Sequence, residues 1–280
     1  MTGVTDQPGI ALVCCGLLGT LVTDDGLLER SFAEAIATQG VVSGTSAFAR
    51  RMAQVHQARG RAPGDVLGIL FPDNEARAQA AQLAFDRALT DAIRRAEIRP
   101  VPGAHQVLDQ LGDAGCRICV TTSLPRRALD MVLDAAGLRR RVDIALSAED
   151  VPRGFPAPDL VLTGIMRSAT RAVQEVAVVH GTGAGVTGGR RSGASIVAGV
   201  LTGPHPAGRL RAAGATHVLS SVADLPQLVL AGNGPSTDDS AVEGYGGFGE
   251  TLFTPPGSAV NPASINVPAQ VPLERRSLGL

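Results

Sequence analysis

The chain has 280 residues, a formal net charge of −1 and 44% hydrophobic residues. This length and apolar content are sufficient for one core domain with an insertion or a tail. Charges of both signs are interspersed, which does not favour binding to nucleic acid or to an anionic membrane surface. No apolar run approaches the roughly 20 residues of a membrane-spanning helix, and the first residues lack the basic and apolar segments of a secretory signal. We therefore expect a cytoplasmic protein that binds neither nucleic acid nor membranes.

The basic residues restrict the chemistry further. The chain contains 25 Arg and no Lys. A GC-rich genome can produce this bias, but whatever its origin it excludes any mechanism that needs a Lys amine, Schiff-base formation included.

The first structured segment is predicted around residues 10–21. Ile10 to Cys15 form an apolar run typical of a buried parallel strand, and the run ends in a Gly-rich turn that carries the hydroxyl of Thr20. Open α/β sheets place ligand sites at the carboxyl ends of their strands, so this turn is a candidate site.

This segment resembles the first motif of the haloacid dehalogenase superfamily, and most closely its phosphonatase-like branch. In that family the strand ends in a nucleophilic Asp, which is followed by two residues and then by Gly-Thr. Here Gly19 and Thr20 match the Gly-Thr, Gly16 stands at the nucleophile position, and Leu18 stands where many members carry a second, acid-base Asp. The resemblance implies a catalytic scaffold that has lost its nucleophile.

The next segment, residues 26–97, has apolar residues at three- and four-residue spacing, which predicts several helices. By its position it resembles the helical cap that many members of the family insert after the first motif. The remaining predicted core then comprises residues 1–25 and 98–230.

The second and third motifs of the family also have counterparts. Thr121 and Thr122 end a predicted strand, where hydroxyls either bind phosphate or cap the next helix. Residues 153–159 resemble the third motif, but Phe155 replaces its basic residue. Arg153, two positions earlier, is the candidate replacement. The resemblance therefore implies an anion site at Gly19, Thr20, Thr121, Thr122 and Arg153.

The sequence around the fourth motif of the family is recognisable, but the acidic residues of this motif are absent. Both positions at which the family holds magnesium are Gly, namely Gly181 and Gly185, and His180 replaces a Gly. We therefore expect no metal site, no cofactor and no catalytic residues at these positions. A rival interpretation is a dinucleotide fingerprint at residues 183–188, but the strand after it lacks an acid for the ribose.

Residues 231–280 are rich in Gly, Pro and Ser, which predicts a disordered tail. Tyr245, Phe248 and Phe253 lie within it, and they suit either a passive tail or a segment that docks on a protein partner.

Together these features predict a doubly wound parallel α/β core of the haloacid dehalogenase type, with a helical cap and a disordered C-terminal tail. The leading hypothesis is a catalytically inactive protein that acts as a binding or scaffolding component of a larger assembly. Two alternatives stay open: a hydrolase of small phosphorylated or phosphonate substrates that uses unidentified residues, with Cys15 and His180 as candidates, and a non-catalytic sensor of phosphate or nucleotides.

Overall fold

The structure is a computed structural model that describes residues 9–95 and 97–231. The predicted docking residues Tyr245, Phe248 and Phe253, and the predicted tail beyond residue 231, lie outside the described residues.

Six parallel strands form a single sheet in the order β3-β2-β1-β4-β5-β6. The strands are β1 (Leu12–Gly16), β2 (Arg117–Thr121), β3 (Ile144–Leu146), β4 (Val176–His180), β5 (Ile196–Val200) and β6 (His217–Leu219). In the central pairings, Cys15 of β1 is in register with Val120 of β2 and Val179 of β4. The strand order reverses direction between β1 and β4, so the loops after these two strands flank the crevice where such sheets bind ligands.

Helices cover both faces of this sheet. They are α1 (Leu27–Thr38), α2 (Ser46–Gln57), α3 (Pro63–Leu70), α4 (Glu75–Arg95), α5 (Ala104–Asp113), α6 (Arg126–Ala135), α7 (Asp159–Ser168), α8 (Gly183–Ser192), α9 (Ala207–Ala212) and α10 (Leu225–Leu230). Alternate residues of β1 enter opposite layers of the core, because side chains alternate along a strand. Val13 and Cys15 belong to one buried cluster, and Leu12 and Cys14 belong to the other. The predicted doubly wound α/β core is confirmed.

Four helices, α1 to α4, lie between β1 and β2, in the segment that the sequence predicts to be a cap. Phe32 of α1 and Phe85 of α4 pack with ring centroids 4.5 Å apart. Hydrogen bonds join this segment to distant parts of the core: Ser123 Oγ donates to the Gly60 carbonyl oxygen at 2.5 Å, and Arg209 Nη2 donates to the Gln57 carbonyl oxygen at 2.8 Å. The helical segment therefore contacts the loops at the carboxyl ends of the strands.

None of the helices described is both long enough and apolar enough to span a membrane.

Candidate functional site

Three loops meet at the carboxyl ends of β1, β4 and β5, and hydrogen bonds hold them together. The Gly181 N–H donates to Thr20 Oγ1 at 3.0 Å, and Thr202 Oγ1 donates to the Gly19 carbonyl oxygen at 3.0 Å. Gly19 has a φ of +72°, which favours Gly because L side chains rarely adopt this conformation. The Gly-Thr pair of the first motif therefore has a structural role, since Thr20 is fully buried and its hydroxyl accepts from the β4 loop.

The ring of His180 fills the space above Gly16 and Gly185. An ideal Cβ on Gly16 would lie 2.9 Å from both Cε1 and Nε2 of His180, and 2.7 Å from Thr20 Oγ1. A Cβ on Gly185 would overlap Cγ, Nδ1 and Cδ2 of the same ring. A carboxylate could therefore not be added at either position while this ring stays in place.

Gly181 leaves no room for a side chain either. A Cβ there would lie 2.6 Å from the Gly19 carbonyl oxygen and 2.8 Å from the α-carbon of Gly203. Its neighbours are backbone atoms, which cannot move aside as a flexible side chain can. The close approach of these loops therefore requires Gly at position 181.

His180 is held as a neutral, buried imidazole. Its Nδ1 lies 3.2 Å from Thr182 Oγ1, and its ring packs edge-on against Phe155 with centroids 5.0 Å apart. Burial lowers the pKa of His180 to about 4. The backbone of Thr121 opposes this shift, although it forms no hydrogen bond with Nε2. Nε2 has no hydrogen-bond partner among the described residues.

Phe155 completes this packing. Its side chain is 1% exposed, and a Cβ on Gly188 would lie 2.5 Å from its Cδ1. Phe155 therefore lies directly against α8 and against His180, at the position where the family carries a basic residue. An aromatic ring here contributes packing and no positive charge.

The residues at these positions do not fit a magnesium ion, which needs carboxylate or other oxygen ligands. Gly16, Leu18, Gly181 and Gly185 supply no carboxylate, and the His180 ring occupies the space between two of them. Within residues 9–95 and 97–231, no group of three or more His, Cys, Asp or Glu side chains could hold a metal ion. The loss of magnesium stays a prediction.

The five predicted anion-binding residues each make other contacts in the structure, and the anion site stays a prediction. Thr121 Oγ1 donates to the Cys15 carbonyl oxygen at 3.5 Å, and Thr122 Oγ1 accepts from the Leu124 N–H at 3.2 Å. Arg153 is 73% exposed and forms an ion pair with Asp159 at 3.0 Å. Of the five, Thr122 lines the cavity described next, whereas Gly19 and Thr20 are engaged in the loop contacts above.

A cavity of about 70 Å³ lies between the helical segment and these loops. Much of its lining is apolar, including Leu17, Leu28, Phe32 and Val55, and its polar lining residues include Thr122, His180, Arg59 and Arg61. Asp24 also lines it, and burial raises the pKa of that carboxyl group. The cavity can hold a few waters or a small ligand, since one water needs about 10–15 Å³ of such volume.

The two candidate nucleophiles of the hydrolase alternative lie in different surroundings. Cys15 is fully buried within β1 and does not line the cavity, and burial raises the pKa of its thiol. A protonated, enclosed thiol is a poor nucleophile. His180 does line the cavity, but within the described residues its ring has no carboxylate hydrogen-bond partner.

The sequence shows that positions 16, 181 and 185 carry no carboxylate, but it does not show that the His180 ring fills the space beside two of these glycines. The packing of His180 against Gly16 and Gly185, which lie on different elements, is visible only in the structure. The available signal was that Gly16, His180 and Gly185 depart from the family pattern together. His205, which accepts a hydrogen bond from the Gly183 N–H at 2.7 Å, had no sequence signal.

The family comparison gives a match over most of the core. The family model for haloacid dehalogenase-like hydrolases matches residues 10–193. A protein of Lacticaseibacillus casei, described as "Uncharacterized protein in fgs 3'region", is 29% identical over 209 residues, which are 74% of this chain and 93% of that protein. The phosphonoacetaldehyde hydrolase of Bordetella pertussis is 32% identical over 108 residues, and the match covers 38% of each protein.

Solved structures share the fold at lower identity. A phosphonoacetaldehyde hydrolase-like protein from Oleispira antarctica superposes with a TM-score of 0.71 at 19% identity, over 83% of this chain and 96% of that one. CbbY from Rhodobacter sphaeroides, solved in complex with phosphate, gives a TM-score of 0.65 at 19% identity, over 80% and 98% of the two chains. At this identity the likeness concerns the fold alone.

Proposed function

Because the chain belongs to the haloacid dehalogenase-like hydrolase family, we propose that it keeps the family's phosphatase- and phosphonatase-like scaffold and has lost the catalysis. Its function in this proposal is binding: it acts as a component of a larger protein assembly, or it holds a ligand without turnover. The Gly/Pro/Ser-rich tail is the proposed docking segment.

One observation carries this proposal: the His180 ring lies over Gly16 and Gly185. The family's reaction needs a carboxylate nucleophile and a magnesium ion at these positions. The ring replaces their volume with a buried, neutral and apolar-packed group. The site is therefore closed by well-packed side chains, which distinguishes it from an active site that merely lacks one residue.

The phosphonoacetaldehyde hydrolases among the relatives bear on the substrate. This chain has no Lys, so it cannot form a Schiff base with an aldehyde substrate. The lining of the cavity is predominantly apolar, but it includes Arg59 and Arg61, whose charges can offset the cost of burying a phosphate dianion.

The test measures turnover and metal binding on the full chain. We expect no hydrolysis of p-nitrophenyl phosphate or phosphonoacetaldehyde above a buffer blank, and no saturable heat or thermal shift with millimolar magnesium. A Gly16→Asp variant should stay inactive, because its carboxylate would meet the His180 ring and would lack a metal. A saturable magnesium site of micromolar affinity would overturn the proposal.

The hydrolase alternative rests on the unpartnered Nε2 of His180 at the cavity wall. It predicts turnover by the unmodified protein that disappears in a His180→Leu variant. A Cys15→Ala variant serves as the matched comparison, because Cys15 does not line the cavity. Activity that survives His180→Leu and is lost in Cys15→Ala would assign the chemistry to the thiol instead.

A further inference from the structure

A second concave site lies beside the cavity, and the proposed function does not use it. It is an open groove of about 430 Å³ between residues 57–61 of the helical segment and helices α8 and α9 of the core. The groove shares Ala58, Arg59 and Arg61 with the cavity and otherwise has its own walls. Its size is within the range of small-molecule sites.

The groove carries an excess of positive charge. Arg59, Arg61, Arg191 and Arg209 line it, and among the described residues no Asp or Glu does. Arg59 is paired with Glu29 at 2.9 Å, whereas the other three form no ion pair within the described part of the chain. Three uncompensated guanidinium groups therefore face one concave surface.

Two of these side chains are held in place by backbone atoms. Arg191 Nη1 donates to the Pro156 carbonyl oxygen at 3.0 Å, and Arg209 Nη2 donates to the Gln57 carbonyl oxygen at 2.8 Å. Each bond uses one of the five N–H donors of a guanidinium. The remaining donors are available to a ligand, and the anchored side chains have less conformational freedom to lose on binding.

His205 adds a buried donor to the same wall. Its Nδ1 accepts from the Gly183 N–H at 2.7 Å, so in the neutral ring the proton is on Nε2. The residue is 4% exposed, and Nε2 has no acceptor among the described residues. Burial, together with the charges of Arg209 and Arg59, lowers the pKa of His205 to about 4, which is consistent with a positive potential in the groove.

The first turn of α8 borders the groove, since Gly183 and Ala184 line it. Of its early N–H groups, Gly183 donates to His205, and Gly185 donates to Thr182 Oγ1 at 3.2 Å. Ala184, which lines the groove, is between them, and no acceptor for its N–H is present in the described structure. The positive end of the helix dipole adds to the field of the arginines.

We propose that this groove binds a small multivalent oxyanion, a ligand that carries two or more phosphate or carboxylate groups. The three uncompensated arginines bind its charged ends, and the Nε2–H of His205 and the start of α8 supply neutral donors. Because Arg59 and Arg61 belong to the helical segment and the other groups belong to the core, the ligand joins the two.

The experiment uses the full-length protein with pyrophosphate and citrate as probes, titrated by calorimetry at constant ionic strength. We expect saturable binding of at least one probe that weakens as salt increases. In the double variant Arg61→Gln/Arg191→Gln the affinity should fall about tenfold or more, since each substitution removes charge-assisted hydrogen bonds. Which probe binds distinguishes a phosphate ligand from a carboxylate ligand.

Two further variants keep the result interpretable. Arg140→Gln is the matched control, because Arg140 is exposed and lies outside the groove, and it should bind as the unmodified protein does. His205→Asn keeps an acceptor near the Gly183 N–H and removes the Nε2 donor, so it should also weaken binding. Failure of both probes to bind, or equal affinities in the double variant and in Arg140→Gln, would overturn the proposal without affecting the proposed loss of catalysis.

Discussion

The imidazole ring of His180 and the α-carbon of Gly185 pack so closely that a side chain at position 185 could not coexist with that ring. His180 ends β4 and Gly185 lies in the first turn of α8, so the contact closes the loop between them. Gly16, at the end of the neighbouring strand β1, lies against the other side of the same ring. Because Gly16 and Gly185 have no side chains, there is room for the imidazole ring of His180.

This contact predicts energetic coupling between positions 180 and 185. Gly185→Asp alone should destabilise the protein by about 1–3 kcal/mol, because it overpacks the site. His180→Gly alone should also destabilise it, because it leaves a cavity. The double variant should be more stable than the sum of the two losses predicts, with a coupling free energy of about 0.5–3 kcal/mol from urea denaturation.

The control for this cycle is Gly208→Asp. A Cβ at Gly208 meets nothing within 4 Å, so the substitution adds the same carboxylate without overlap. We expect a small effect on stability and no coupling to His180→Gly. Additive losses for Gly185→Asp and His180→Gly would contradict the packing described here.

The buried His180 also predicts a pH dependence of stability. Its pKa falls from 6.5 to about 4 on folding, so between these values the unfolded chain binds more protons than the folded protein does. The contribution of this pKa shift to the free energy of unfolding is complete above pH 6.5 and decreases as the pH falls toward 4. It amounts to about 3 kcal/mol in total.

Urea denaturation between pH 4.5 and 7.5 (a window set by these values) measures this contribution. A His180→Leu variant keeps an apolar side chain in the site and cannot titrate. Its free energy of unfolding should therefore decrease less on acidification than that of the unmodified protein. Parallel curves for the two proteins would show that His180 titrates in the folded state as it does in the unfolded chain.

Phe155 predicts a large cost of truncation. The ring is buried between α8 and His180, so Phe155→Ala should lower the free energy of unfolding by about 3–5 kcal/mol. Phe48→Ala on α2 is the matched control, since Phe48 is partly exposed and should lose less. Thermal and urea denaturation of both variants measure these losses in stability. Equal losses for Phe155→Ala and Phe48→Ala would contradict the packing role described for Phe155.

The binding hypothesis makes a prediction about residues 231–280. Tyr245, Phe248 and Phe253 are separable aromatic anchors in a polar segment, which suits an extended docking peptide. In a pull-down from the native host, the full-length chain should retain a partner that a chain ending at Leu230 loses. A variant with all three aromatic residues changed to Ser should behave as the truncated chain does. Identical partner sets for all three proteins would remove the docking role.

Local sequence determined the parallel sheet and the absence of a carboxylate at positions 16, 181 and 185. Apolar runs such as Val176 to Val179 form buried parallel strands because both faces of such a sheet are covered. Gly at positions 16, 181 and 185 cannot supply a carboxylate in any fold. These conclusions depend on side-chain chemistry and on neighbours in the chain, so they could be reached from the sequence.

Only the tertiary structure decided which side chain lies against Gly16 and Gly185 and where positive charge collects. Gly16 and His180 are far apart in sequence and meet because β1 pairs with β4. The motif makes Arg153 an anion-site candidate, and only the structure shows that its side chain pairs with Asp159. Arg61, Arg191 and Arg209 come from three separate segments and line one groove only once the helical segment contacts the core. Such contacts depend on packing between distant parts of the chain, which no local pattern of residue types encodes.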